Sequence, residues 1–247
     1  MIPKVIHYCW FGNTPLPESA TKCIRSWKLL CPDYKIVQWN EQNYDVNRTP
    51  YVSEAYKKGK YAFVTDYVRL DVISKFGGVY LDTDVELVKN LDELLEFDAF
   101  FGMEEPGKVN TGLGFGAVKN EKTLSMLLLN YQSAHFILHS GKSNLKTCVE
   151  YALPTFQNQG LSNVDKVQKL STGHVMVFSS EYFCPQSMET GKMNVTSKTY
   201  SIHHYEASWK KHTWYGKYVT RLKIRVHKSI DGLFGEGTYA KCKEKLF

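Results

Sequence analysis

The stretch from Ile2 to Trp39 constrains the fold most. Ile2 to Trp10 is rich in β-branched and aromatic residues and breaks at Phe11-Gly12-Asn13, Pro15 and Pro17, which reads as a buried strand running into a turn. Glu18 to Leu30 then sets Ala20, Ile24, Trp27 and Leu30 three or four apart, the spacing of an amphipathic helix, stopped by Pro32. Tyr34 to Trp39 reads as a second strand. Strand, helix and strand this close together suit a right-handed parallel crossover, so an α/β fold is expected.

Downstream the pattern predicts a short helix near Tyr51 to Lys58, a longer one from Tyr61 to Lys75 stopped by Gly77-Gly78, and a strand from Val79 to Val88. Further strands are expected at Ala99 to Met103, Gly112 to Val118 and Val175 to Ser180, with a helix from Lys122 to Phe136. A chain of 247 residues buries enough core to fold without disulfides or a structural metal, and one domain over 1–247 is expected. Its division is read as 1–120 for donor and metal, and 121–247 for the acceptor side and a helical, closing C-terminal part. The six cysteines, Cys9, Cys23, Cys31, Cys148, Cys184 and Cys242, form no Cys-x-x-Cys pair and read as free thiols. No apolar run approaches the ~20 residues of a membrane span, and Val5 to Phe11 lacks a cleavage site behind it, so a cytoplasmic protein is expected.

Two features carry chemistry. Leu81-Asp82-Thr83-Asp84 closes an apolar strand, where a period of two turns Asp82 and Asp84 to one side. Paired carboxylates suit Mg2+ or Mn2+ bound together with phosphates; the alternative reading is a solvated turn after an edge strand. Before it, Asp66 and Arg69 stand three apart on a helix and share a face. They form either a clamp on a sugar hydroxyl and a phosphate or a surface ion pair.

Taken in order, Ile2-Pro3-Lys4-Val5-Ile6-His7-Tyr8-Cys9-Trp10-Phe11-Gly12, Asp66-Tyr67-Val68-Arg69 and Gly77-Gly78-Val79-Tyr80-Leu81-Asp82-Thr83-Asp84 resemble glycosyltransferase family 32, whose sugar-binding region contains the Asp-x-Asp motif. The resemblance covers the first ~120 residues and returns near Ser201 to Trp209. It implies a GT-A fold, with a Rossmann-like mixed sheet flanked by helices, and transfer from a nucleotide-diphosphate sugar with retention. By similarity with this family and the related clostridial glucosylating toxins, Trp10 would stack on the donor base. Asp66 and Arg69 would bind the donor sugar, and Asp82 and Asp84 would hold ribose and metal. Trp10 at a strand's carboxyl end also stands where an α/β crevice takes its ligand, with a core tryptophan as the alternative.

Asn110-Thr111-Gly112-Leu113-Gly114-Phe115-Gly116 occupies the family's acceptor-side loop near the anomeric carbon, with Asn110 the candidate there; the plain reading is a glycine-relieved strand with a bulge. Ser201 to Trp209 resembles the family's closing segment, which implies a histidine as third metal ligand and Ser208-Trp209 closing over the diphosphate; His204 is the preferred ligand, with His203 pointing the other way along an extended chain. Both histidines as structural polar contacts is the alternative, and Glu206-Ala207 departs from the family's small residues.

The expected activity is therefore metal-dependent hexosyl transfer, with UDP-galactose or UDP-glucose as donor and a saccharide or lipid-linked saccharide as acceptor. Capsular, exo- or lipopolysaccharide synthesis is the expected setting. The basic residues between Lys210 and Lys228 suggest peripheral attachment to anionic lipid at the inner membrane face. Nucleic acid is not an expected partner, since the aromatic and glycine pattern of an RNA-binding sheet is absent. A nucleotide-sugar hydrolase and a non-catalytic carbohydrate- or membrane-binding protein are the rival readings.

Overall fold

A computed structural model describes residues 1–186 and 193–205. They belong almost wholly to one compact unit, Met1–Pro185 with Val195–Tyr205; a second, Gln186–Asn194 with Glu206–Phe247, lies almost entirely outside them. The first unit crosses residue 120 without a break.

Ten strands are described: β1 (Val5–Cys9), β2 (Lys35–Trp39), β3 (Gly78–Tyr80), β4 (Val85–Leu87), β5 (Ala99–Glu105), β6 (Lys108–Val109), β7 (Phe115–Ala117), β8 (Gln168–Lys169), β9 (Val175–Phe178) and β10 (Ser201–His203). Six helices accompany them: α1 (Glu18–Leu30), α2 (Pro50–Lys57), α3 (Tyr61–Phe76), α4 (Lys122–Leu129), α5 (Cys148–Asn158) and α6 (Ser180–Phe183). The main sheet runs β2-β1-β3-β7-β5-β9-β8, with β6 beside β5, while β4 and β10 form a separate antiparallel pair. β1 is parallel to β2 and to β3. β7 is antiparallel to both β3 and β5, and β9 is parallel to β5. The carboxyl ends of β1, β3, β5 and β9 therefore share one edge of the sheet.

This is the Rossmann-like mixed sheet between helices that the resemblance implies. Alternation along the strands buries both faces: Cys9, Tyr80, Phe101 and Val177 join the core under α2 to α5, while Ile6, Tyr8, Val79 and Phe100 join the core with α1 and α6. Strands covered on both sides read as near-continuous apolar runs, which is why they were visible from sequence. On the second face the buried Trp27 of α1 donates from Nε1 to the Val85 carbonyl at 2.8 Å, fixing β4 beside the sheet.

Three departures have physical causes. The single strand expected over Val79 to Val88 is broken into β3 and β4 by a turn at the aspartates, closed by Val85 N–H donating to the Asp82 carbonyl at 3.0 Å. The helix expected to reach Phe136 stops at Leu129, where i+3 bonds tighten the chain and the Asn130 amide donates to the Tyr151 carbonyl and to Thr155 Oγ1. That turn sends Tyr131 and Phe136 into an aromatic cluster with Tyr51 and Tyr151. α5 was not expected; its start carries a capping box between Thr147 and Glu150, masked in the sequence by Pro154 inside the helix. None of the five described cysteines forms a disulfide, and Cys242 lies outside the described residues.

Candidate active site

The site is built at the carboxyl edge of the sheet. α3 runs straight into β3 through Gly77 and Gly78, whose φ values are +67° and +112°. A Cβ on Gly78 would stand 2.7 Å from the Val5 carbonyl oxygen, so only glycine lets β3 lie this close to β1. Beyond β3 the chain turns through Asp82-Thr83-Asp84. A turn, not the period of a strand, brings the two carboxylates together.

Asp82 is held firmly. Its Oδ1 accepts from the Tyr80 hydroxyl at 2.8 Å, and its Oδ2 lies 3.4 Å from Arg69 Nη1. Asp84 leads into β4, which pairs with β10 so that His203 sits opposite Val85. The Nε2 of His203 then lies 3.3 Å from Asp84 Oδ1, and ligating atoms of Asp82, Asp84 and His203 all fall within 4.8 Å of one another. His204, the ligand preferred from sequence, points the other way and meets Glu86 at 2.9 Å. The correction follows from register, since neighbouring strand residues face opposite sides.

Asp66 and Arg69 do share a face of α3, and that face is buried. Arg69 Nη2 pairs with Asp66 Oδ1, Nε donates to the Thr65 carbonyl at 3.2 Å, and the guanidinium lies 5.3 Å from the centre of the Tyr80 ring. Burial pushes the Asp66 carboxyl up to about 6 against the pull of Arg69. Burial works against the charge on Arg69 as well, but Asp82 and Asp66 together raise its pKa well above the ordinary value. Arg69 therefore braces Asp66 against Asp82. Nearby, the Tyr51 and Tyr131 hydroxyls are buried without a hydrogen-bond partner among the described residues, and both feel the charge of Asp66.

The glycine loop closes on this cluster. A Cβ on Gly112 would lie 2.5 Å from Asp82 Oδ2 and 2.8 Å from Arg69 Nη1, so the close approach the glycine permits is to the protein's own charged groups. Asn110 has both ends of its amide engaged. Its Oδ1 accepts from Gly112 N–H at 2.7 Å and from the Cys148 thiol at 3.5 Å, and its Nδ2 donates to Glu104 Oε2 at 2.7 Å. Burial pushes that thiol up to about 12. Burial also raises the carboxyl of Glu104 above its ordinary range.

Trp10 follows β1 at the same edge, partly exposed, its Nε1 donating to the Thr14 carbonyl at 2.7 Å. Ser208, Trp209 and the basic residues from Lys210 onward lie outside the described residues. Sequence reasoning missed Tyr80, Gly112 as a contact of Asp82, and Glu104. Tyr80 stands two residues before Asp82 and could have been read as its neighbour; Glu104 meets Asn110 only through the β5–β6 hairpin and carries no local signal.

Residues 17–101 match the family described as the glycosyltransferase sugar-binding region containing the DXD motif. Inositol phosphoceramide mannosyltransferase 3 of Schizosaccharomyces pombe is 30% identical over 142 residues, 56% of this chain and 39% of that protein. Mannosyl phosphorylinositol ceramide synthase SUR1 of Saccharomyces cerevisiae is 30% identical over 110 residues, 43% of this chain and 28% of that protein. The matched stretch thus spans less than half the length of these curated relatives. The solved structure of PaToxG glycosyltransferase aligns with 64% of this chain and 69% of its own, at 22% identity and a TM-score of 0.48. Over residues 17–101 the chain is thus similar to the glycosyltransferase sugar-binding region containing the DXD motif, the family the sequence resembles, and Asp82 and Asp84 fall within the matched stretch.

Proposed function

We propose that this chain is a metal-dependent glycosyltransferase that moves a hexose from a nucleotide-diphosphate sugar to an acceptor hydroxyl. The observation that carries this reading is the gathering of Asp82, Asp84 and His203 within 4.8 Å beside the buried Asp66–Arg69 pair. Two carboxylates and an imidazole make a donor set suited to Mn2+ or Mg2+, and no thiolate stands among them. Bound there, the cation would offset charge on a departing diphosphate. Tyr80 and Arg69 fix Asp82, Gly112 packs the loop against it, and partly exposed Trp10 offers a ring face for a base. Asp66 is committed to Arg69, so it is not assigned as a covalent nucleophile, and front-face attack would account for the retention that the resemblance implies.

The names of the relatives favour mannose as the transferred sugar over the galactose or glucose expected from sequence. They also favour a lipid-borne acceptor over a polysaccharide. The basic residues 210–228 would attach the protein peripherally to an anionic membrane. Binding to anionic vesicles at low salt that vanishes when those charges are reversed is the expected result; binding indifferent to the reversal would end this part of the reading.

GDP-mannose, UDP-galactose and UDP-glucose, each with and without Mn2+, test the donor by thermal melting. At about 100 times its Kd a native-state ligand adds about 2.7 kcal/mol, an upward shift of about 5–10 °C for a chain of this size. The shift should require the metal, appear with one nucleotide, and disappear in Asp84→Ala while the fold persists. No shift with any donor would favour the non-catalytic binding protein.

A further inference from the structure

Glu104 is the last residue but one of β5, at the sheet edge that also carries Trp10 after β1 and the aspartates after β3. Two hydrogen bonds and one close contact connect it to the Asp82 carboxylate. Asn110 Nδ2 donates to Glu104 Oε2 at 2.7 Å, Gly112 N–H donates to Asn110 Oδ1 at 2.7 Å, and Gly112 has no room for a Cβ beside Asp82 Oδ2. The second Asn110 bond fixes the orientation of its amide, because a backbone N–H can meet only the amide oxygen. The amide nitrogen is thereby aimed at Glu104.

The other carboxylate oxygen, Oε1, has no hydrogen-bond donor among the described residues, although the side chain is only partly exposed. Glu104 lies within electrostatic reach of His203 and Tyr205, and the Tyr205 ring stands 4.2 Å from that of His203. Glu104 therefore lies near the metal-ligand cluster, on the strand next to β7. The next residue, Glu105, is exposed and paired with Lys108, so it serves as a control of the same chemistry outside the site.

We infer that Glu104 binds the attacking hydroxyl, accepting its hydrogen bond at Oε1 while Asn110 holds Oε2. Asn110 is then a positioning residue, acting through Glu104, and the substrate class taken at this subsite is an alcohol. The inference rests on the transferase reading and goes beyond it by naming the acceptor side of the crevice.

The test compares wild type, Glu104→Gln and Glu105→Gln with Mn2+ and GDP-mannose, UDP-galactose or UDP-glucose. It follows the donor-induced melting shift and nucleotide release to water, methyl hexosides and myo-inositol. Glutamine keeps the bond from Asn110 and removes the charge. Release by Glu104→Gln is expected to fall about 10- to 100-fold, the worth of one hydrogen bond to a charged group, while the donor shift and Glu105→Gln stay at wild-type values. Unchanged release in Glu104→Gln, or release from wild type with none of these hydroxyls, would overturn the inference and leave the donor reading intact. Loss of the donor shift in Glu104→Gln would move the residue to the donor side. A wild type that responds to no donor overturns the transferase reading itself.

Discussion

Replacing Arg69 with methionine is expected to lower the free energy of unfolding by about 3–5 kcal/mol, the cost of stranding a buried charge. The guanidinium is 4% exposed and is the cation paired with Asp66, itself 10% exposed, and with Asp82. Without it the Asp66 carboxyl, already pushed up to about 6 by burial, would climb further and take a proton at neutral pH. The double variant Asp66→Asn with Arg69→Met should regain much of the loss, since replacing both members of a buried pair is often close to neutral. Urea melts of the three proteins decide the matter. A single-variant loss of only a few tenths of a kcal/mol would match the surface ion pair that the sequence left open, and the brace between Asp66 and Asp82 would then be wrong. Metal-dependent donor binding should fall in both variants, because Asp82 loses a partner in each.

The second large effect lies at His7, away from the aspartates. Trp39 Nε1, which can only donate, meets His7 Nδ1 at 3.0 Å, and the Gly77 carbonyl, which can only accept, meets Nε2 at 3.0 Å. These partners fix the neutral ring with its proton on Nε2. Burial holds the pKa down to about 4, against an ordinary 6.5. Between those values the unfolded chain binds the proton and the native one does not, so stability from this group is complete above pH 6.5 and is lost as pH falls toward 4. The loss approaches about 3 kcal/mol.

Asp66 acts in the opposite sense. Its folded pKa is raised, so the native state gains a proton first as pH falls through about 6, which adds stability there. The pH profile of the wild type alone therefore mixes the two. The difference between wild type and His7→Gln isolates the histidine: the variant should be the less stable at neutral pH, and the gap should shrink by about 3 kcal/mol toward pH 4. A gap independent of pH would show that folding leaves the His7 pKa unchanged, and the neutral, doubly paired ring would then be wrong.

Much of the fold was legible because the signals are local. α1 has the bounds its spacing predicts, α3 stops at its glycines, and β1, β2, β5 and β9 fall within one to three residues of their apolar runs. Asp66, Arg69, Asp82 and Asp84 were found because the distances between them are set by one helix and the turn that follows a short strand. What those residues do was less legible. Arg69 read as a clamp or a surface ion pair, and burial on α3 pairs it with Asp66 and Asp82 inside the protein. Asn110 looked like a group facing the substrate, and its amide is spent on Gly112 and Glu104.

The sequence by itself determined the strand, helix and strand order, the helix stops and the identity of the acidic pair, since each depends on residues a few positions apart. Tertiary structure alone decided which histidine joins that pair. His203 reaches Asp84 only because β10 pairs with β4 in the register that sets His203 against Val85. A slip of one residue would exchange His203 for His204, and the hydrophobic pattern of a strand three residues long is too short to fix that register from within.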